Sequence, residues 1–386
     1  MEKKLDQITL QAQESNVEKK DVVTFKCSYC YLQLDKVLNC ASCMSRKYCS
    51  KNCQRLDWKQ HKIWCGCGVA QIDVDYEVRS SSFGMGVFAK RPFKVGDRIL
   101  TERLVIRLPP NAFEDEKGLN EFKNQFASLP VSVKEAITDL YPQSPNSVFD
   151  RQLEIVGGEG VLQYKYNHFG LDSDYDYGCG LAITASRFNH RCAPNCGRSF
   201  IGDHNLLTIF VESPISEGEE LTISYTSKHV QEGVEAFKKY MMSGWNFHCT
   251  CNVCKNTQLF SMFIEIHKID EKIFTLGSTG HEKQAFQLGK QRIKLMDEMG
   301  DHSLLERART FYDMFQMAVL HKKNLSEASK CAKKYLECYK IICGGSKKEP
   351  SKILKAKEYV EHPERHRHYC LHDQNEFEIR FEDCLY

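Results

Sequence analysis

No stretch of this chain approaches the roughly 18 consecutive apolar residues that a membrane-crossing helix needs, so no membrane partner is expected. The opening MEKKLDQITLQAQESNVEKKD is charged and polar and lacks the apolar core of a secretion signal. Net charge is scarce too: 53 basic residues against 51 acidic ones leave +2, so no global field draws the protein to nucleic acid or anionic lipid. These absences point to an intracellular protein, cytoplasmic and nuclear. That setting bears on the cysteines, which number 19, an odd count. A reducing compartment disfavours a disulfide framework, and thiols clustered at short spacing inside cells read as zinc ligands. What the sequence does have is 42% hydrophobic residues over 386 positions, enough to bury a core and to suggest two or three domains.

The chain divides by pattern. Residues 1–24 read as a polar leader, and cysteines crowd residues 27–67. From about 70 to 255 runs such as GMGVFAKRPFKVGDRILTERLVIRL are β-rich with Gly and Pro punctuation, and Val95-Gly96-Asp97 reads as a turn between strands. Within this stretch, residues 112–165 carry NEFKNQFASL and SVKEAITDLY, which predict inserted helices. Residues 257–386 turn helical. Leu305, Ala308, Tyr312, Phe315 and Val319 mark one helical face; Leu325, Ala328, Ala332, Tyr335, Tyr339 and Ile342 mark a second. Asn324 with Glu327 reads as a capping box and Gly344 as a helix stop. Two such helices resemble one unit of a TPR-like repeat, with no second copy visible. The expected fold class is α+β.

The first chemical constellation is Cys27-x2-Cys30-x9-Cys40-x2-Cys43-x5-Cys49-x3-Cys53-x7-His61-x3-Cys65. Eight soft ligands within so short a segment suffice for two closed tetrahedral zinc sites. LDWKQHKIW suits a helix presenting His61 and Cys65 on one face. The segment is too short to bury much apolar surface, so metal should supply on the order of 10 kcal/mol of stability per site. Spacing alone permits sequential or crossed pairing. The order of ligands resembles the MYND zinc finger. That resemblance implies crossed sites, Cys27, Cys30, Cys49 and Cys53 for one ion and Cys40, Cys43, His61 and Cys65 for the other, with Cys67 spare. It also implies a protein-interaction module for proline-rich peptides.

The second constellation runs from Phe83-Gly84-Met85-Gly86 through KYNHFGL, Asn189-His190-Arg191-Cys192-Ala193-Pro194-Asn195 and GEELTISY to Trp245-x-Phe247-x-Cys249-x-Cys251-x2-Cys254. In this order the pieces resemble the SET-domain methyltransferases. Together with the finger, they are most similar to the SET and MYND domain-containing family of protein lysine methyltransferases. The resemblance makes residues 70–111 the first SET strands, 112–165 a helical insertion, 166–229 the core and 230–256 a post-SET zinc segment. It implies S-adenosylmethionine as methyl donor and a lysine of a histone or other protein as acceptor, with the protein a monomer.

It further implies Tyr225 as the catalytic residue. Gly84, Met85, Gly86, Asn167, Ser186, Asn189, His190, Tyr225 and Phe247 would contact the cofactor, Phe247 by stacking on adenine. Phe169 and Trp245 would line the substrate channel. Cys192 would join Cys249, Cys251 and Cys254 around a third zinc. The chemistry suits these residue types. Lysine in water has a pKa near 10.4, so deprotonation near pH 7 costs roughly 4–5 kcal/mol. A narrow apolar channel disfavours the ammonium form. A tyrosine hydroxyl can position the reacting groups without itself ionising.

Three departures stand against the pattern: the finger precedes the Gly-x-Gly strand, Phe83 and Met85 replace polar residues, and Arg191 replaces a serine, with Thr226-Ser227 after Tyr225. They leave open a weakly active or inactive adaptor that recruits protein partners. Cys179, Cys196, Cys331, Cys338, Cys343, Cys370 and Cys384 lack a ligand pattern. HPERHRHYC, with His362, His366, His368 and Cys370, reads as a solvated polar turn in preference to a metal tract.

Overall fold

The computed structural model describes residues 25–171, 178–226, 230–347 and 349–371. The leader expected over 1–24, Ser227 and Cys384 lie outside these residues. The chain begins with two small hairpins, β1 (Phe25–Lys26) with β2 (Gln33–Leu34) and β3 (Leu38–Asn39) with β4 (Lys47–Tyr48). Helix α1 (Lys51–His61) follows, started by Ser50, whose hydroxyl accepts the Cys53 amide. The helix ends at His61, so Cys65 does not share its face as the sequence suggested. The Trp64 amide bonds back to His61, and Ile63 and Trp64 turn inward against Leu206. Burying that indole is the reason the backbone leaves the helix early.

The β-rich part starts with the hairpin of β5 (Tyr76–Ser81) and β6 (Gly84–Ala89), then β7 (Arg98–Arg103) and β8 (Ile106–Leu108). The expected turn at Val95–Asp97 is present, with Gly96 at φ +92 where a side chain would be strained. The insertion holds four helices where the sequence showed two: α2 (Glu116–Ser128), α3 (Val131–Thr138), α4 (Val148–Gly157) and α5 (Val161–Asn167). Short strands follow: β9 (Phe169–Gly170), β10 (Cys179–Leu181), β11 (Asn189–His190), β12 (Cys196–Ile201), β13 (Leu206–Val211) and β14 (Glu220–Ile223). They assemble into sheets of order β11-β14-β6-β5, β12-β13-β7 and β8-β10-β9. Residue pairs Asn189–Thr222 and His190–Ile223 lie side by side in parallel register, which brings the Asn-His dipeptide beside the strand leading to Tyr225. Strand β13, buried at every position, is the middle of its sheet.

The finger packs on the insertion: Tyr48 belongs to the same buried cluster as Phe122, Phe126 and Leu153. Polar ties fix its seat. Tyr31 donates to Glu102 at 2.5 Å, Arg103 donates to the Tyr29 carbonyl at 2.8 Å, and Ser132 to the Cys30 carbonyl at 2.7 Å.

Helices α6 (Val234–Trp245) and α7 (Asn252–Lys255) lead into an array of α8 (Thr257–Ser278), α9 (Glu282–Met299), α10 (Leu304–Val319), α11 (Leu325–Ile342) and α12 (Ser351–Glu361), each packed on the next. The sequence pattern revealed only α10 and α11. Arg292, fully buried on α9, pairs with Glu306 of α10 at 2.5 Å and Asp270 of α8 at 3.4 Å, which pins the register of three helices. Asn324 precedes α11 but its side chain makes no capping bond, so the expected capping box does not form. Helix α11 ends at Ile342, two residues before Gly344, and Gly345 takes the positive φ.

Its carbonyl end has a different partner. Arg98 of β7 is buried and donates to the carbonyls of Ile341 at 2.9 Å and Ile342 at 3.0 Å. Its guanidinium also lies 4.8 Å from the Trp64 ring. Burial pushes its pKa down to about 10, and the negative end of the helix meets the charge. One side chain thus joins finger, sheet and helical array.

His366 corrects another expectation. In place of a solvated turn, its ring is 4% exposed and packs 5.1 Å from Phe315 and 5.2 Å from Tyr359. Burial first, then the neighbouring His368, lowers its pKa to about 4. An imidazole that ionises more readily unfolded than folded binds more protons in the unfolded chain between about pH 6.5 and 4. Stability should therefore fall as pH drops through that window. His366→Phe should give a shallower dependence of the denaturation midpoint on pH; parallel curves would contradict this account.

Candidate functional site

Twelve of the cysteine and histidine side chains converge in three groups. Cys27, Cys30, Cys49 and Cys53 form one, Cys40, Cys43, His61 and Cys65 a second, and Cys192, Cys249, Cys251 and Cys254 a third. Within each group the ligand atoms lie within 4.8 Å of one another. The crossed arrangement, which spacing alone left undecided, arises because the β3–β4 hairpin lies between the first cysteine pair and Cys49.

The donor sets fit zinc. Tetrahedral thiolates at the usual Zn–S distance of about 2.3 Å stand about 3.8 Å apart. Here Cys30–Cys49 is 3.6 Å, Cys40–Cys65 is 3.8 Å, Cys192–Cys254 is 3.4 Å and Cys192–Cys249 is 4.0 Å. These separations are far longer than a disulfide bond. His61 turns Nε2 toward Cys43 at 3.3 Å, and burial lowers its pKa to about 4, keeping the imidazole neutral as a ligand must be. Cys67, Cys179, Cys196, Cys331, Cys338, Cys343 and Cys370 join no such group. Neither do His362, His366 and His368.

Beside the third group lie two cavities, of about 350 Å³ and about 430 Å³. The first is lined by Phe83, Gly84, Met85, Asn189, His190, Arg187 and Phe247, among others; the second by Phe169, His168, Tyr240, Ser224 and Thr226. Tyr166, Asn167, Ser186, Tyr225 and Trp245 line both. The structure thus gathers the distant sequence pieces around one tyrosine. Gly86 is set back from both cavities. A Cβ there would stand 2.5 Å from Glu220 Oε1 and 3.0 Å from Asn189 Nδ2, so this glycine makes room for side chains that brace the site. Arg191 is exposed and lines neither cavity.

Several side chains are already committed. The Tyr225 hydroxyl donates to the Phe188 carbonyl at 2.8 Å. Burial, reinforced by the charge of Glu220, pushes its pKa well above the usual tyrosine value, so the phenol stays neutral. Asn189 Nδ2 donates to Glu220 at 2.8 Å and Ser81 at 3.0 Å, which leaves its carbonyl oxygen to accept from a ligand. Asn167 donates to backbone carbonyls of Gln163 and Tyr141, and Ser186 to that of Ala182 at 2.7 Å.

His190 is the most informative of these. Its Nδ1 accepts the Tyr225 amide at 3.0 Å, so its proton sits on Nε2, which is 3.5 Å from Cys192 Sγ. One ring therefore ties the third ligand group to the backbone of Tyr225. Trp245, half-buried, has its ring 5.5 Å from that of Tyr225.

Sequence reasoning missed Leu140, Tyr141, Tyr166, Arg187 and Asn246 as lining residues. Most of them come from the helical insertion, or from the turn after α6, and reach the site only through long-range packing. It also passed over Asn195, whose Oδ1 accepts the Thr222 amide at 2.8 Å and whose Nδ2 donates to the Glu220 carbonyl at 2.9 Å, holding β14 in place. The quoted NHRCAPN string contained that signal.

Comparison with known proteins gives a consistent result. The SET domain family profile matches residues 84–226 and the MYND finger profile residues 27–65. The chain is 26% identical over 236 residues to histone-lysine N-methyltransferase SMYD3 of Mus musculus, covering 59% of this chain and 51% of that protein. It is 23% identical over 254 residues to N-lysine methyltransferase SMYD2-A of Xenopus laevis, covering 64% and 54%. With histone-lysine N-methyltransferase set5 of Schizosaccharomyces pombe it shares 24% over 293 residues, 73% of this chain and 82% of that one. The matched region spans about half the length of the first two relatives.

Proposed function

We propose that this chain, a protein with a MYND finger ahead of a SET domain, is an S-adenosylmethionine-dependent protein-lysine N-methyltransferase acting on histone or other proteins. The observation that carries the reading is Tyr225: a neutral, anchored phenol on the wall shared by two cavities. Two reactants entering from opposite sides would meet at such a point.

The first cavity has the residues to hold the cofactor: the Asn189 carbonyl oxygen, the backbone at Gly84 and His190, and the Phe247 ring. When bound, the sulfonium supplies an electrophilic methyl group. The second cavity, walled by Phe169, Tyr240, Trp245 and Tyr166, suits the alkyl stem of a lysine. Arg198 lines the same cavity, and a neighbouring cation disfavours the ammonium form, so the side chain sheds its proton to solvent before attack. Tyr225, held by Phe188 below and His190 behind, aligns the neutral amine and supplies the proximity term. Each of the three Cys/His groups would hold one zinc. The finger would dock proline-rich segments, and the enzyme would work as a monomer in cytoplasm and nucleus. No helix among the described residues is long and apolar enough to cross a membrane.

One observation favours a second reading, a weakly active adaptor. Among the described residues, Arg187 is the one lysine or arginine lining the first cavity, and it is already bonded to Asp139 at 2.5 Å. A cofactor carboxylate would find little else that is cationic. Native mass spectrometry should find three zinc ions per chain, calorimetry should detect S-adenosylhomocysteine binding, and labelled cofactor should transfer methyl to lysines of a protein pool. Cofactor binding with no transfer would favour the adaptor.

A further inference from the structure

Finger and SET core meet around a third cavity, of about 340 Å³, which shares no lining residue with the two at Tyr225. Its walls come from distant places: Arg46 just before β4 of the finger, His61 and Trp64 where α1 ends, and Tyr76 at the start of β5. Most of the polar groups gathered here are donors. Tyr76 is 2% exposed, and its hydroxyl bonds to none of the described residues. Half-buried Arg46 uses one terminal nitrogen on the Thr101 carbonyl and hydroxyl, at 2.5 and 3.0 Å. Its Nη1 and Nε make no bond to a described residue. His61 turns Nε2 toward the second ligand group, so its proton lies on Nδ1. Neither that nitrogen nor Trp64 Nε1 has an acceptor among the described residues, although both side chains are buried. On the acceptor side the lining has one carboxylate, Glu102. It is already taken by the Tyr31 hydroxyl and by the amides of Thr184 and Ala185.

A buried donor without an acceptor is uncommon and costly. A metal-bound histidine ordinarily gives its second N–H to a carboxylate, a carbonyl or water. Four such groups around one cavity call for an acceptor, and the guanidinium edge among them matches the two oxygens of a carboxylate. Val69, Ile72 and Leu100 add apolar wall, and the volume is that of a small-molecule pocket. We propose that the cavity between finger and SET core binds a small organic carboxylate. Arg46 and the Tyr76 hydroxyl hold its oxygens, and its apolar body lies against Val69, Ile72 and Leu100. The site is independent of the methyl-transfer reading.

Ligand-observed NMR titration of benzoate into the zinc-loaded full chain tests this, with benzamide and benzylamine as probes of similar shape. Benzoate should bind saturably and benzylamine should not. Benzamide should bind at least about tenfold more weakly, the scale of exchanging a charge-assisted hydrogen bond for a neutral one. Tyr76→Phe, which deletes one oxygen, should weaken benzoate binding about tenfold, with the thermal midpoint and the zinc count unchanged. Arg46→Lys, which keeps the charge but not the fork, should weaken it as well. Saturating S-adenosylhomocysteine should leave benzoate affinity as it was. A wild-type chain with no saturable benzoate binding overturns the proposal. So does an affinity untouched by both Tyr76→Phe and Arg46→Lys, or one abolished by S-adenosylhomocysteine, which would put the benzoate at Tyr225. Benzamide binding as strong as benzoate overturns the carboxylate as the group recognised.

Discussion

Tyr225→Phe should lower the rate of methyl transfer by about 100- to 1,000-fold, the range seen when one preorganised polar group is removed from an active site. S-adenosylhomocysteine affinity should stay essentially unchanged. The substitution deletes one oxygen and keeps the ring that packs against Trp245 at 5.5 Å and Phe247 at 6.2 Å. What is lost is the bond to the Phe188 carbonyl, and with it the fixed dipole at the junction of the two cavities. Single-turnover transfer of labelled methyl, measured beside a calorimetric Kd, separates the two effects.

The pH profile sharpens the test. Because burial and Glu220 keep the phenol neutral, the rise of kcat/KM with pH should report the substrate amine. That profile should keep its position in Tyr225→Phe. A profile that shifts with the substitution would mean the tyrosine itself loses a proton, and unchanged turnover would remove its assigned role altogether.

Cys251→Ala should act on metal, cofactor and turnover together. With three thiolates left in the third group, retained zinc should drop from three ions per chain to two by native mass spectrometry. Phe247 and Trp245 precede Cys249 directly, and Cys192 touches His190, whose other nitrogen holds the Tyr225 amide. Freed from the ion, both walls of the cavity and the tyrosine backbone lose their anchor. Cofactor affinity and turnover should each fall by at least about 10- to 100-fold, the effect of removing a supporting partner from a metal site. The thermal midpoint should fall as well, because metal binding here is folding free energy. A stable, fully active variant would argue that the third group is a thiol cluster without metal.

The two variants probe different readings. Loss of cofactor binding and turnover in Cys251→Ala but little change in Tyr225→Phe would keep an enzyme that depends on the third metal group and discard the role assigned to Tyr225.

How far the residues alone carried this picture depends on the range of the interactions involved. The finger was legible because its ligands lie within 39 residues and zinc imposes fixed chemistry on them. Helices α10 and α11 were legible because their apolar residues repeat at three and four. Helices α8 and α9 were not. Their register is held partly by the buried Arg292–Asp270–Glu306 cluster, and charged residues in an interior break the apolar pattern that reveals a helix face. His366 was misread for the same reason: a polar-looking tract hides one ring inside an aromatic cluster.

By itself, then, the sequence determined which side chains carry chemistry: the twelve soft ligands, the Asn-His pair, the tyrosine and the aromatic residues around it. Those choices are local, written in residue type and spacing. Only the tertiary structure decided which thiols meet, that Glu220 and Asn195 brace Asn189 and β14, that His190 links a metal group to Tyr225, and that Phe83 reaches Phe247. Each of these depends on segments brought together from far along the chain by burial of apolar surface. No spacing rule encodes that force, because it has no direction and acts on area alone.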